Sequence, residues 1–217
     1  MKVRAVFVDW SRTLSTSLFW QQRPGCRLAA ADSARVDSYV FSRAELVRQW
    51  MVGAVAAEDV CTEAAGRLSL AAGDLLADLE LSCRSMEFDD PAAVDAIQAI
   101  REQGIKVALA TDNMDTFSRW TVPALHLGGI VDANLNSASL GTLKGHLAGG
   151  QSPFFGPWLA DQRIMPAEAV LVDDSPPASA AAIGLQTRLV EHPAKLASIL
   201  TQLTPASGTD VSAATMT

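Results

Sequence analysis

Asp9, Asp173 and Asp174 each stand at the end of a short apolar run, Val3 to Val8 for the first and Ala169 to Val172 for the other two. Two adjacent carboxylates at a strand end repel each other, and a cation between them and Asp9 is the simplest way to hold all three together. A third run, Ile105 to Ala110, stops at Thr111-Asp112-Asn113. Taken alone, that triplet reads as a helix cap as readily as a ligand for an anion. Lys144, set between glycine-bounded turns, reads alone as a solvated lysine. Joint placement at strand ends changes the balance, because in open α/β sheets ligands bind in the crevice beyond the carboxyl ends of the strands, where loops and helix N-termini converge.

The elements that must position these residues can be read from the pattern. The three apolar runs are β-branched, short and continuous, as central strands of a parallel sheet are. A crossover helix is expected from Pro91 to Gln103, capped by Asp89 and Asp90 and stopped by Gly104. Further helices are expected at Ala178 to Ile183 and Pro193 to Leu203, with a strand at Gln186 to Val190 between them. This alternation predicts an α/β fold with a right-handed, doubly wound parallel sheet. Residues 15–85 differ: they are rich in Ala, Leu, Arg and Glu and hold no β run, which predicts an all-helical insertion after the first strand. Ser42 and Glu45 fit a capping box ahead of a helix over Leu46 to Val55. The insertion leaves the sheet beside Asp9, where it can close over the site as a lid. The expected division is a core of residues 1–14 and 86–203, the insertion at 15–85, and a disordered tail over 204–217, where no aromatic residue, Lys or Arg occurs.

Composition narrows the partners. The 217 residues carry 17 Lys and Arg against 24 Asp and Glu, a net charge of −7, which argues against a nucleic-acid backbone or an anionic membrane as partner. Small molecules are the expected ligands, and the oligomeric state is left open. With 49% hydrophobic and 19% charged residues the chain can bury a core. No apolar run approaches the roughly 18 residues of a membrane span, and the start MKVRAVFVDW lacks a signal-peptide pattern, so a soluble, cytoplasmic protein is expected. Cys26, Cys61 and Cys83 show neither a disulfide framework nor zinc-ligand spacing, and His126, His146 and His192 fall in expected loops as surface residues. Phe19, Trp20 and Arg23, near the start of the insertion, are candidates to line a pocket.

The segments Val6-Phe7-Val8-Asp9-Trp10-Ser11-Arg12-Thr13-Leu14, Ala110-Thr111-Asp112-Asn113, Lys144-Gly145 and Leu171-Val172-Asp173-Asp174-Ser175 resemble, in order and approximate spacing, the four motifs of the haloacid dehalogenase-like (HAD) hydrolase superfamily. The resemblance covers nearly the whole chain except the insertion and the tail. It implies a Rossmann-like core with a helical cap, and a Mg²⁺-dependent phosphatase acting on a small phosphorylated metabolite through an aspartyl-phosphate on Asp9. Mg²⁺ would be held by Asp9, Asp174 and the backbone carbonyl of Ser11, with Asp173 as a further ligand or as the holder of metal-bound water. Lys144 would offset charge on Asp9 and the phosphoryl oxygens, Thr111 would donate to one of those oxygens, and Asp112, Asn113 and Arg12 complete the candidate substrate contacts.

Two departures stand out. Ser11 replaces the second aspartate of family phosphatases, which protonates the leaving oxygen; losing such a group costs on the order of 10²- to 10⁴-fold. Arg12 stands where the family commonly has glycine, a large cation beside the nucleophile that either binds an anionic group of the substrate or points to solvent. Family branches without the second aspartate include ion pumps, excluded here by the missing membrane segments, and phosphonatases, which need a cap lysine where residues 15–85 have none. They also include dehalogenases, which work without metal. The rival expectations are therefore a metal-independent dehalogenase-like hydrolase and a degenerate, non-catalytic binding protein.

Overall fold

The computed structural model describes residues 2–203. Five strands form one parallel sheet: β1 (Ala5–Val8), β2 (Lys106–Thr111), β3 (Ala133–Asn136), β4 (Ala169–Asp173) and β5 (Gln186–Leu189), in the order β3-β2-β1-β4-β5. β1 is central and wholly buried, because a parallel strand with helices on both faces has no polar side to show. Its register sets Val8 opposite Leu109 of β2 and Val172 of β4. The chain therefore leaves β1 at Asp9 beside the point where β4 reaches Asp173.

Alternate side chains of the strands feed two apolar clusters, as the period of two requires. Phe7, Ala108, Ala110 and Leu171 pack on one face with Phe154, Phe155 and Leu159. The Phe7 ring meets Phe155 edge-on at 5.0 Å and Trp158 at 5.2 Å. Val6, Val8, Leu109 and Val172 pack on the other face, in a cluster that runs on without a break into Val36, Trp50 and Leu75.

Those last residues belong to the segment between β1 and β2, which holds α1 (Ala30–Phe41), α2 (Ala44–Met51), α3 (Ala57–Leu68) and α4 (Ala72–Arg84), followed by the crossover helix α5 (Ala92–Glu102). No strand lies between β1 and β2 among the described residues. Short helices of the second half include Ser137–Leu140, Gly156–Asp161, Ala178–Ala182 and Leu196–Thr201. None of the described helices is long and apolar enough to cross a membrane. The tail expected over 204–217 lies outside the described residues.

Several local expectations are corrected. The capping box at Ser42 and Glu45 does not form: only two residues separate α1 from α2, so Ser42 Oγ is used up closing α1, donating to Tyr39 O at 3.0 Å, while Glu45 pairs with Arg48 at 2.6 Å. α2 ends at Met51 and not Val55, since Gly53 turns the chain with φ +68°. Asp90 Oδ1 accepts from Ala92 N at the start of α5, but Asp89 Oδ1 instead accepts from Thr16 N and Oγ1, tying down the loop after β1. β3, whose sequence Ala-Asn-Leu-Asn has no apolar run, and a π-helical turn at Phe117–Thr121 were not foreseen.

Candidate active site

The backbone beyond β1 fixes the first part of the site. Asp9 N continues the sheet ladder to Val172 O at 3.0 Å, and Trp10 is anchored by its ring, edge-on to Phe88 and tilted on Phe117. The Trp10 carbonyl then accepts from the amides of Thr13, Leu14 and Ser15, which coils the loop tightly. Within that coil Arg12 takes φ +57°, and its amide donates to Ser15 O at 2.7 Å. The buried hydroxyl of Thr13 accepts from Asp174 N at 3.0 Å, stitching the loop after β1 to the loop after β4.

Lys144 arrives from a separate turn. Its amide donates to Asp112 Oδ1 at 2.8 Å, and its carbonyl accepts from Ser179 Oγ at 3.3 Å. So held, Nζ lies 2.9 Å from Asp9 Oδ1 and 2.7 Å from Asp173 Oδ2, with all three residues at most 6% exposed. Asp173 Oδ1 also accepts from Ser175 N at 2.7 Å. Arg12 takes Asp174, with Nη2 at 2.5 Å and Nε at 2.8 Å from Oδ2.

Electrostatics follow from this burial. Desolvation pushes the Asp9 carboxyl up from its usual range; Lys144 pulls it back, Asp173 pushes it further, and the net direction is up. Burial works against the Lys144 ammonium, but Asp9 and Asp173 outweigh it and hold it protonated. Burial also raises the Asp112 carboxyl, although its bond from the Lys144 amide acts the other way.

One carboxylate oxygen from each of Asp9, Asp173 and Asp174 lies within 4.8 Å of the others. Three hard oxygen donors this close suit a hard divalent cation such as Mg²⁺. A second feature suits an anion. Thr111 ends β2 fully buried, and its hydroxyl has no hydrogen-bond partner. Orphaned buried hydroxyls are uncommon, and of the three threonines in that state among the described residues, Thr111, Thr116 and Thr142, Thr111 is the one that ends a strand paired with β1.

The remaining candidates divide. Ser11 is exposed and, with Arg12, lines a cavity of about 280 Å³ shared with Phe19, Asp37 and Phe41 of the insertion. Burial raises the Asp37 carboxyl. Asp112 borders a second cavity, of about 510 Å³, across from Arg48 and Val52 of the α2 region. Asn113 is turned inward: its side-chain carbonyl accepts from Met114 N at 2.9 Å, and its backbone trades bonds with Ser137 Oγ. Trp20 is buried, donating to Leu75 O at 2.9 Å, and Arg23 bonds Ser85 O, so of the three pocket candidates only Phe19 lines the cavity beside Ser11. The three histidines are exposed. A further cavity, of about 800 Å³ around Pro157 and Met165, contains none of the strand-end residues.

Sequence reasoning did not single out Thr13 or Asp37. Thr13 lay within a recognised segment, but its role depends on the neighbouring loop. Asp37 had no signal, because only the docking of α1 brings it to the cavity.

No protein-family model matches the sequence, and no curated protein matches it. Solved structures do. A HAD family enzyme from Bacteroides thetaiotaomicron superposes with a TM-score of 0.64 at 13% identity, over 87% of this chain and 94% of that one. The same enzyme in complex with magnesium and inorganic phosphate gives 0.60 at 15% identity, over 86% and 93%. L-2-haloacid dehalogenase from Xanthobacter autotrophicus gives 0.60 at 17% identity, over 87% and 77%. The neighbours thus include both a magnesium and phosphate complex and a dehalogenase, and what the likeness establishes is the architecture. With its parallel sheet, its inserted helices and the strand-end residues gathered at one end, the chain has the haloacid dehalogenase-like fold.

Proposed function

We propose that the chain is a Mg²⁺-dependent phosphohydrolase in which Asp9 is the nucleophile. The observation that carries this reading is the buried cluster in which Lys144 bridges Asp9 and Asp173 with Asp174 alongside. In the proposed reaction an Asp9 carboxylate oxygen attacks phosphorus, the bond from phosphorus to the leaving oxygen breaks, and that oxygen takes a proton from solvent water. Water then attacks phosphorus, releasing inorganic phosphate and restoring Asp9.

Lys144 orients Asp9 and neutralises charge that gathers on the transferring group. Thr111 supplies a donor for a phosphoryl oxygen, which gives its buried hydroxyl the partner it lacks. Asp9, Asp173 and Asp174, with the carbonyl of Ser11, would hold the metal, which when bound supplies positive charge against the phosphoryl oxygens. Asp112 acts on Lys144 and not on the substrate, through the bond to the Lys144 amide. The leaving group occupies the cavity beside Ser11 and Arg12, where Phe19 and Phe41 stack at 5.7 Å and Asp37 is the carboxyl at the wall. The helical insertion forms the roof of that cavity as the cap, and its apolar cluster is continuous with the sheet. The substrate is a small phosphorylated molecule.

The test is phosphate release from an aryl phosphate and a panel of sugar and nucleotide monophosphates, with and without Mg²⁺. Release that requires Mg²⁺ and is abolished in Asp9→Asn supports the reading, and release unaffected by Asp9→Asn overturns it. A second reading, displacement of carbon-bound halide by the same Asp9, is favoured by one observation: Lys144 and Arg12 between them give every carboxylate of the cluster a cation from the chain itself. Halide release without Mg²⁺ distinguishes it.

A further inference from the structure

Arg12 is the residue that the proposed chemistry leaves least explained. It is held beside Asp174 by more than a flexible side chain. Its own amide is fixed to Ser15 O, its neighbour Thr13 accepts from the amide of Asp174, and its guanidinium meets Asp174 Oδ2 through both Nη2 and Nε. The loop places it there at a cost, since an L-residue at φ +57° is strained where glycine is not.

Charge makes the placement consequential. Lys144 is engaged by Asp9 and Asp173, so Asp174 is the carboxylate of the cluster left to Arg12. Three negative groups then face two positive groups of the chain before any metal arrives. A divalent ion bound by all three carboxylates must share Asp174 with the guanidinium or displace it. Displacement is feasible, because the Arg12 side chain is 73% exposed and has solvent to move into, whereas Lys144 is buried and has none.

We propose that Arg12 is a tethered cation that competes with a divalent metal for Asp174 and thereby sets the metal affinity of the site. The inference rests on the three carboxylates being the metal site of the proposed function. Binding of metal and engagement of Arg12 on Asp174 are then negatively coupled, and each weakens the other by the same factor. The guanidinium released from Asp174 stays at the mouth of the cavity it lines with Ser11, Phe19 and Asp37.

Mn²⁺ is the probe, its free concentration read by electron paramagnetic resonance during titration of the wild type, Arg12→Gly and Arg12→Gln, each first shown folded by circular dichroism. Both variants remove the charge, but only glycine relieves the backbone. Both are expected to bind Mn²⁺ about tenfold or more tightly than the wild type, the scale on which one neighbouring charge moves an ionic equilibrium at a carboxylate. Equal or weaker binding by both variants, with the wild type binding, overturns the role of Arg12 and leaves the metal reading standing. Tighter binding by Arg12→Gly alone assigns the effect to backbone strain and likewise overturns it. Absence of Mn²⁺ binding in all three proteins overturns the metal reading and the inference together.

Discussion

A hydroxyl buried without a partner forfeits the hydrogen bonds it had in water, at about 1–3 kcal/mol. Thr111 is in that state at the end of β2, the strand paired with β1. If its purpose is to meet a phosphoryl oxygen, then Thr111→Val, which keeps the shape and drops the hydroxyl, separates stability from binding. The variant is expected to be as stable as the wild type or up to about 1 kcal/mol more stable in urea unfolding. Inorganic phosphate is expected to inhibit it about tenfold more weakly, the equivalent of one lost hydrogen bond. A loss of stability with unchanged inhibition would place the hydroxyl in the fold and not in the site. Asp9, Thr111, Asp173 and Asp174 were legible in the sequence, because strand ends announce themselves by an abrupt change from apolar to polar, whereas Lys144, in a turn, stood out only through the resemblance in motif order. The partnership of Arg12 with Asp174 was not legible. It depends on a left-handed turn and on a hydroxyl bond between two loops whose residues are 161 positions apart.

At the scale of elements, the inserted helices meet the core through polar and steric contacts as well as through the shared apolar cluster. Trp50 Nε1 donates to Asp115 Oδ1 at 2.7 Å, and Arg119, on the π-helical turn, holds Asp115 at 2.7 Å and Glu58 of α3 at 2.6 Å. Gly53, just past α2, comes so near the helix Ser137–Leu140 that a Cβ there would lie 2.4 Å from Ala138 O. Gly53→Ala is therefore expected to cost about 1–3 kcal/mol in denaturant unfolding, beyond the cost of the same change at Gly104, where φ is also positive but nothing lies within 4 Å. Equal costs at the two sites would show that α2 does not sit against that helix. The Glu58 to Arg119 bond carries a pH signature. It draws the Glu58 carboxyl below its usual range, so its stabilisation is complete above the unfolded value near pH ~4.3 and is lost as pH falls through the lower folded value. Since both side chains are partly exposed, Glu58→Gln is expected to lower stability by at most about 1 kcal/mol at pH 7. That gap in melting temperature should close as the pH falls below about 4; a gap that stays constant would remove the ion pair from the account. The helices themselves were legible from composition and spacing, but their caps were not. Ser42 and Asp89 were drawn to the end of α1 and to the loop after β1, and such competition is settled by tertiary neighbours.

Across the whole molecule, the parallel sheet and the helical stretch between β1 and β2 follow from the sequence, since buried parallel strands must be apolar on both faces. β3 escaped because Asn134 and Asn136 break its apolar run. Asn136 is buried, yet it is satisfied by the loop it faces, donating to Met114 O at 2.9 Å. The proposed function joins the scales: a sheet that brings Asp9, Lys144 and Asp173 together, a loop that puts Ser11 at the position of the phosphatase acid in the resemblance, and a nucleophile that would form a covalent intermediate. With no carboxylate at position 11 to activate water, the second half of the reaction should be the slow one. The most direct measurement is the intact mass of the protein after rapid mixing with an aryl phosphate and Mg²⁺, followed by mapping of the modified peptide. The account predicts one added phosphoryl group on Asp9 that accumulates in the wild type, decays about 10²-fold or more faster in Ser11→Asp, and never forms in Asp9→Asn. Phosphate release with no covalent species in either the wild type or Ser11→Asp, or a phosphoryl group mapped to another residue, would contradict it.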